Sequence, residues 1–464
     1  MDILYNIFYF GLALAILVTI HEWGHFIAAK ITGMRSDIFS FGMGRRLLGW
    51  NEKTGFTFGR LPDEHVYEGK TDWRISLFPI GGYVKIVGMV DESFDTDYGN
   101  TEIQDYEFRA KNTFQKLLVI SAGVIMNFVL AIAIFSYLTY SKGSLEQLTN
   151  KISYIHSDSF LTDYDIEPGD NIININGTEI KSWREILKNI VFVDLGNDKN
   201  ITIKRNNKTH KVIIKGENIS QFLNKRAKSE EQGNFLGLDS DFLNVIITSV
   251  VLASPAQKIG IQTGDTIMYL DNQKVVSSQQ FISIIKNSSR KLVDITWKRN
   301  NKIYNSSIQT NKDNVIGVGL FGLFTGPILT TKYGLTQSVE MGINETLSQL
   351  SMILNSFGEI FKGNIEFKNA VGGPIKIMEQ SGKTAEMGMT SFMSFVAMLS
   401  ISLALINILP IPALDGGHLV IILIEGIKRK ELNLKSKLII QNIGFYLLII
   451  LMIIILYIDM ARYL

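Results

Sequence analysis

The chain of 464 residues has no cysteine. That removes disulfides, thiolate nucleophiles and thiolate metal sites, and it leaves the redox compartment open. Charge is also scarce: 19% of residues are Asp, Glu, Lys or Arg, 46 basic against 44 acidic, for a formal net charge of +2. Such a balance excludes a strongly basic nucleic-acid binder, and no nucleic-acid partner is expected. Apolar residues are what remains. They make up 46% of the chain, and a mean hydropathy of +0.16 points to bilayer-spanning segments. The length allows about three domains at ~150 residues each, or a membrane region with attachments.

Four stretches approach the ~20 apolar residues that a bilayer crossing needs. They are Ile3 to about Ile20, Leu117–Tyr140, about Ser391–Leu414 and about Leu438–Ile458. A cleaved signal peptide is not expected at the first, which starts with Asp2 instead of a basic run and lacks a small-residue cleavage site. Lys30, Arg35, Arg45 and Arg46 follow the first stretch, and Arg109, Lys111 and Lys116 precede the second. Lys428, Arg429, Lys430, Lys435 and Lys437 separate the third from the fourth. These clusters alternate consistently as cytoplasmic loops, which puts both termini and the long 141–385 region on the far side.

Residues 33–108 are too polar for another span. Arg74–Gly88 reads as a strand, a Gly81-Gly82 turn and a second strand, Tyr83–Val87. Two readings stay open. One is a surface hairpin. The other is a β-loop dipping into the membrane beside an active site, where protein or water must cover non-helical backbone. In the second reading an edge strand pairs with an unwound substrate, making Gly81, Gly82, Tyr83 and Val84 candidate substrate-binding residues. Asp91–Asp105 is acidic and reads as a loop.

The far-side region carries an internal repeat. EPGDNIININGTEIKSWREI from Glu167 and QTGDTIMYLDNQKVVSSQQF from Gln262 share Gly-Asp, an alternating strand, a turn (Asn176-Gly177; Asp271-Asn272) and a short helix. Each is followed by another strand, at a spacing of about 95 residues, one small domain each. The pattern resembles PDZ domains of the bacterial protease-associated form. SPAQKIGIQTGD (Ser254–Asp265) makes the second copy the better match, and Leu236-Gly237-Leu238 is similar to that family's carboxylate-binding loop. The first copy, DYDIEPGD (Asp163–Asp170), lacks the Pro-Ala element. The copies are read as binding peptide termini, filtering substrates by size, or serving only as structure.

HEWGH (His21–His25) is an H-E-x-x-H motif at the end of the first apolar stretch. On a helix His21 and His25 share one face and reach one ion, with Glu22 beside them as a general base for a bound water. Ionisable residues at membrane depth are costly and point to function. A catalytic zinc takes three protein ligands, so a third must come from elsewhere. His65 sits in a polar loop, and His156 and His210 in the far-side domains. NILPIPALDGGH (Asn407–His418) fits better: Asp415 is an oxygen ligand beside Gly416 and Gly417, which permit close backbone approach. Pro410 and Pro412 break the helix just before it. His418 is a rival ligand, or else polar support. Both motifs are placed at the cytoplasmic ends of their helices.

H-E-x-x-H in the first span together with N-x-x-P-x-P-x-L-D-G-G in a later one resembles the site-2 protease family of intramembrane zinc metalloproteases, and the layout resembles its bacterial RseP (regulator of sigma-E protease) type. The similarity extends along the chain through Phe41–Gly44, Gly81–Lys85, Gly123 and Asn127, Val371–Ile375, and Gln441 and Gly444. It departs at Val124, where the family usually has proline. The resemblance implies one Zn2+ held by His21, His25 and Asp415, Glu22 as general base, and Asn407 assisting substrate or oxyanion, a helix–helix polar contact being the other reading of Asn407. Pro410 and Pro412 are carried as substrate-binding candidates with it.

The expected fold is thus a membrane protein with a four-transmembrane-helix metalloprotease core, a membrane-associated β-hairpin and two inserted PDZ-like α+β domains. Its expected parts are 1–32, the first helix; 33–108, the β region; 109–140, the second helix; 141–222 and 223–325, the PDZ-like domains; 326–388, an amphipathic helix and loop; 389–429, the third helix with LDGG; and 430–464, the fourth. Leu335–Phe361 is read as an amphipathic helix on the far membrane surface beneath the second PDZ-like domain, with a fifth span as the alternative. VGGPI borders the substrate path or is a plain loop. The family resemblance further implies a bacterial inner-membrane location and single-span membrane substrates such as anti-sigma factors or signal-peptide remnants. A membrane-anchored PDZ scaffold without catalysis and a transporter are the competing classes; neither needs both metal motifs intact.

Overall fold

A computed structural model of the protein describes residues 3–61, 69–89, 102–226, 236–288, 291–311, 314–365 and 372–460. His65, residues 91–101 of the acidic loop and Val371 lie outside them. The chain forms two units, one from residues 1–143, 332–353 and 371–464, the other from residues 144–331 and 354–370.

In the first unit four helices are long and apolar enough to cross a membrane: Ile3–Ile31, Thr113–Lys142, Met389–Ile408 and Leu434–Met460. HEWGH does not end the first of them. Phe26–Ile31 continue the helix, which stops where Thr32 Oγ1 bonds back to the Ala28 carbonyl and Gly33 takes φ +69°. The Thr113–Lys142 helix starts at a capping box: Gln115 N–H donates to Asn112 Oδ1 (2.9 Å), and Asn112 N–H donates to Gln115 Oε1 (3.2 Å). These two helices cross closely. A Cβ on Gly24 would fall 2.4 Å from the Ala122 carbonyl oxygen, so only glycine fits there. Ala13, Leu17, Ala131, Phe392, Val396 and Ile401 form the buried core among the first three spans.

The third apolar stretch is two helices rather than the single one expected over 389–429. Met389–Ile408 ends before Pro410, and Asp415–Lys428 starts anew. Pro410 and Pro412 have no N–H to donate and force the residues before them out of the helical region; Leu409 has ψ 142°.

Ser36–Asn51, Gly55–Phe58 and Asp72–Ile86 form a small sheet. Its register corrects the hairpin expectation. Phe39 pairs with both Val84 and Trp73, and Ser40 with both Tyr83 and Arg74, so the two arms on either side of Gly81 flank a third strand instead of pairing together. The sheet is pinned to the first helix by Trp23 and Phe26 against Phe39 and Trp73, with ring centroids 5.0–5.9 Å apart. The helical turn that carries the two histidines on one side therefore holds the sheet with another.

Leu335–Phe361 is a helix, in contact with the second span. Gly342 presses on the second span, where a Cβ would meet Ser136 Oγ at 2.1 Å and the Ile132 carbonyl at 2.9 Å. In the second unit its end and the residues after it are tied to the first PDZ-like copy: Asn355 Nδ2 donates to the Phe192 carbonyl, and Asn224 Nδ2 to the Asn364 carbonyl.

That unit holds two α+β folds. In the first, strands Thr178–Glu179, Asn171–Ile175, Lys199–Arg205 and Lys208–Ile214 form a sheet in that order, around a core including Ile172, Ile186 and Ile203. In the second, Lys302–Gln309, Leu292–Arg299, Thr266–Leu270, Leu243–Val250 and Val318–Phe324 follow one another, around Val245, Phe281 and Trp297. Leu236-Gly237-Leu238, expected in the second copy, belongs to the first. Leu238–Ser240 pairs with Ile152–Ile155, and Leu236 and Leu238 are buried in the first core. The boundary at 222/223 is therefore too early. Ile316-Gly317-Val318 fills the same place in the second copy: Val251 N–H bonds the Gly317 carbonyl as His156 N–H bonds that of Gly237.

The Gly-Asp of each repeat has a shared structural role. Arg205 donates Nε and Nη2 to Asp170 (both 2.8 Å), and Arg299 does the same to Asp265 (2.6 and 2.7 Å). Burial raises the Asp170 pKa, but Arg205 and the Glu167 N–H outweigh it and hold the carboxyl below its ordinary value. A depressed pKa stabilises the fold above the unfolded value of about 4 and the contribution is lost as pH falls through the folded value. Asp170→Asn is expected to destabilise this domain by about 3 kcal/mol at neutral pH. Urea unfolding followed by proteolysis of the full chain should show that difference, and show it vanishing in acid.

Candidate metal centre

Three ligand atoms, from His21, His25 and Asp415, all lie within 4.8 Å of one another. His21 Nε2 is 3.2 Å from both His25 Nε2 and Asp415 Oδ2, and His25 Nε2 is 3.6 Å from the same oxygen. The two imidazoles come from adjacent turns of the first helix. Asp415 is the first residue of its helix, presented by a loop in which Ala413 takes φ +74°, a strained conformation for a residue with a side chain. Gly416 and Gly417 let that loop fold tightly: their Cβ positions fall 2.1 Å from the Leu409 carbonyl and 2.4 Å from that of Ile411. Gly444 of the last helix packs on the Pro412 carbonyl, where a Cβ would be 2.0 Å away.

The donor set fits a zinc ion. Two nitrogens and one carboxylate oxygen converge, and Asp415 Oδ2 is buried with no hydrogen-bond partner among the described residues. Such an oxygen is expensive unless a cation completes it. His25 Nδ1 lies 2.9 Å from the Val119 carbonyl, which only accepts. Nδ1 therefore carries a proton, and in the neutral ring this leaves the Nε2 lone pair for a cation.

A cavity of about 60 Å³, room for a few waters, adjoins the cluster. Glu22, Tyr83, Val84, Ile86, Met89, Leu414 and His418 line it with the three ligands. Gly82 lies alongside, its Cβ position 3.7 Å from Glu22 Cγ. Asn407 Nδ2 is 3.4 Å from His21 Nε2. Gly81, Pro410 and Pro412 are not in this wall; Gly81 forms the turn at φ +84°, and the prolines shape the loop before Asp415. His418 is on the wall but outside the ligand cluster, and His156 and His210 are in the other unit. Gly123 and Asn127, named in the sequence only as matching positions, are packed on the imidazoles. A Cβ on Gly123 would meet His25 Nε2 at 2.5 Å, and Asn127 Nδ2 is 3.2 Å from His21 Nδ1. Their four-residue spacing on one helical face was the available signal.

The model of Peptidase family M50 matches residues 9–451. The regulator of sigma E protease of Haemophilus influenzae is 29% identical over the whole of both chains, and RseP of Escherichia coli is 26% identical, again over the whole of both. A Pasteurella multocida protein provisionally named a zinc metalloprotease is 28% identical across 97% of this chain and 98% of its own. A PDZ domain of an SdrC-like protein from Listeria innocua is 32% identical over 17% of this chain and 92% of that domain, with a TM-score of 0.15. With a paired-histidine and aspartate cluster in a helical unit and a family match over nearly its whole length, the chain belongs to Peptidase family M50, the site-2 proteases, and is of the RseP type.

Proposed function

We propose that the chain is an intramembrane zinc endopeptidase of a bacterial inner membrane that cleaves single-span membrane proteins, with its PDZ-like domains in the periplasm and its active site toward the cytoplasm. The observation that carries this reading is the convergence of His21, His25 and Asp415 beside Glu22, in a unit that holds four helices apolar enough to span a bilayer. A zinc ion held by these residues supplies Lewis acidity, polarising a carbonyl and making a water acidic near pH 7.

The rest is the work of the chain. Glu22 takes a proton from the attacking water and returns it to the leaving amine. The Asn407 amide donates to the oxygen on which charge develops. A substrate helix hides its carbonyls and must unwind to be cut. Among the described residues, strand 82–86 pairs on one side only, with 36–41, and its Tyr83 and Val84 line the cavity, so its outer edge can take up the unwound segment by strand addition. Anti-sigma factors and signal-peptide remnants, trimmed on the periplasmic side, are the substrates the family suggests. The PDZ-like domains bind peptide ends or screen by bulk.

Metal analysis of the purified full-length protein tests this. One zinc per chain is expected, falling well below stoichiometric in Asp415→Ala. A trace of zinc in careful preparations, or an undiminished content in that variant, would overturn the reading.

A further inference from the structure

We propose that Asn127 is a positioning residue that sets which nitrogen of His21 is free to bind the metal. This rests on His21 being a ligand, as proposed above. The two histidines are held differently. A carbonyl can only accept, so Val119 fixes the His25 proton on Nδ1. His21 Nδ1 faces an amide instead, at 3.2 Å, and an amide can either donate or accept. With Nδ2 donating to His21 Nδ1, the neutral ring carries its proton on Nε2, the atom that lies 3.2 Å from Asp415 Oδ2 and must be bare to bind a cation. Turning the amide over places Oδ1 on Nδ1. The ring then holds its proton there, and the Nε2 lone pair points into the cluster.

Two further observations favour this role. Asn127 is fully buried in an apolar helix, and its Oδ1 has no hydrogen-bond partner among the described residues. A buried amide oxygen next to an imidazole nitrogen is a ready acceptor, costly if left unused. The backbone at this position is also anchored: Ser400 Oγ donates to the Asn127 carbonyl at 2.8 Å, tying the second span to the third where the amide meets His21. Asn127 thereby gives His21 what Val119 gives His25, from one helical face two turns apart.

Zinc affinity measured by chelator competition on purified full-length protein tests this, with no need for a substrate. Asn127→Leu and Asn127→Ala, which cannot accept, are expected to weaken zinc binding about 10–100-fold. Asn127→Asp, which accepts at the same place, is expected to stay within a few fold of wild type. His21→Ala serves as the control for the metal reading itself and is expected to abolish tight binding. Wild-type affinity in both Leu and Ala variants, or equal losses in Asp, Leu and Ala, would overturn the role of Asn127 while leaving the metal centre standing. Wild-type affinity in His21→Ala would overturn the metal reading. The Ala variant keeps the test valid if the bulkier Leu fails to fold.

Discussion

Glu22→Gln is expected to retain its zinc and to lose peptide hydrolysis by a factor of about 10²–10⁴, the range that a positioned general base contributes. Glu22 lines the cavity with the ligand set but is not one of the three converging ligands. Glutamine keeps the shape and removes the carboxylate that accepts a proton. The first helix and the Gly82 strand packed beside Glu22 should therefore stand unchanged. Zinc content and turnover of a single-span reporter in detergent, measured on the same preparation, separate the outcomes. Undiminished turnover would take Glu22 out of the mechanism. Loss of zinc would make it part of the metal-holding set. In cells, the same variant should accumulate single-span fragments in the membrane proteome.

The second large effect is expected from adding one methyl group. Gly123→Ala improves helix propensity by about 1 kcal/mol, so the helix itself gains. The added Cβ, however, would lie 2.5 Å from His25 Nε2 and 2.6 Å from His21 Cε1. Neither ring can simply turn away, since Val119 holds one and Asn127 the other. One imidazole or the helix crossing must shift by a few tenths of an ångström or more. Misplacements of about 1 Å at a reacting centre cost on the order of 10²-fold in rate. We expect hydrolysis to fall by about that factor, zinc affinity to fall with it, and the apo protein to keep its thermal stability. A variant with full activity and wild-type zinc affinity would mean that the two spans separate more easily than their packing suggests.

The parts of the fold that were legible are those written in local pattern. HEWGH at helical spacing and LDGG after two prolines named the three residues that the structure brings together, because metal donors are few in kind and a histidine pair four apart shares a helix face. The Gly-Asp repeat was legible too, although its reason was not: each aspartate answers an arginine about 35 residues later, Arg205 and Arg299. Other expectations failed where a non-local contact decided. Leu236-Gly237-Leu238 looks like the start of the second copy, yet its strand closes the first, because its partner is Ile152–Ile155 across a long loop closure. The two strand-like arms around Gly81 look like a hairpin, yet Phe39 inserts between them. The third helix was drawn too long because hydropathy reports burial in lipid, whereas proline chemistry ends it at Ile408.

The amino-acid order by itself determined which side chains have the chemistry to bind a divalent ion, which stretches are apolar enough to enter lipid, and where a module is repeated. Each follows from residue type and short-range spacing, which a linear pattern carries in full. Only the tertiary structure decided how close Asp415 comes to the His21 and His25 imidazoles far earlier in the chain, which glycines the helix crossings require, and what faces the second nitrogen of each ring. Those are distances between segments remote in the chain, fixed by packing of whole helices to a few tenths of an ångström, and no local pattern encodes them.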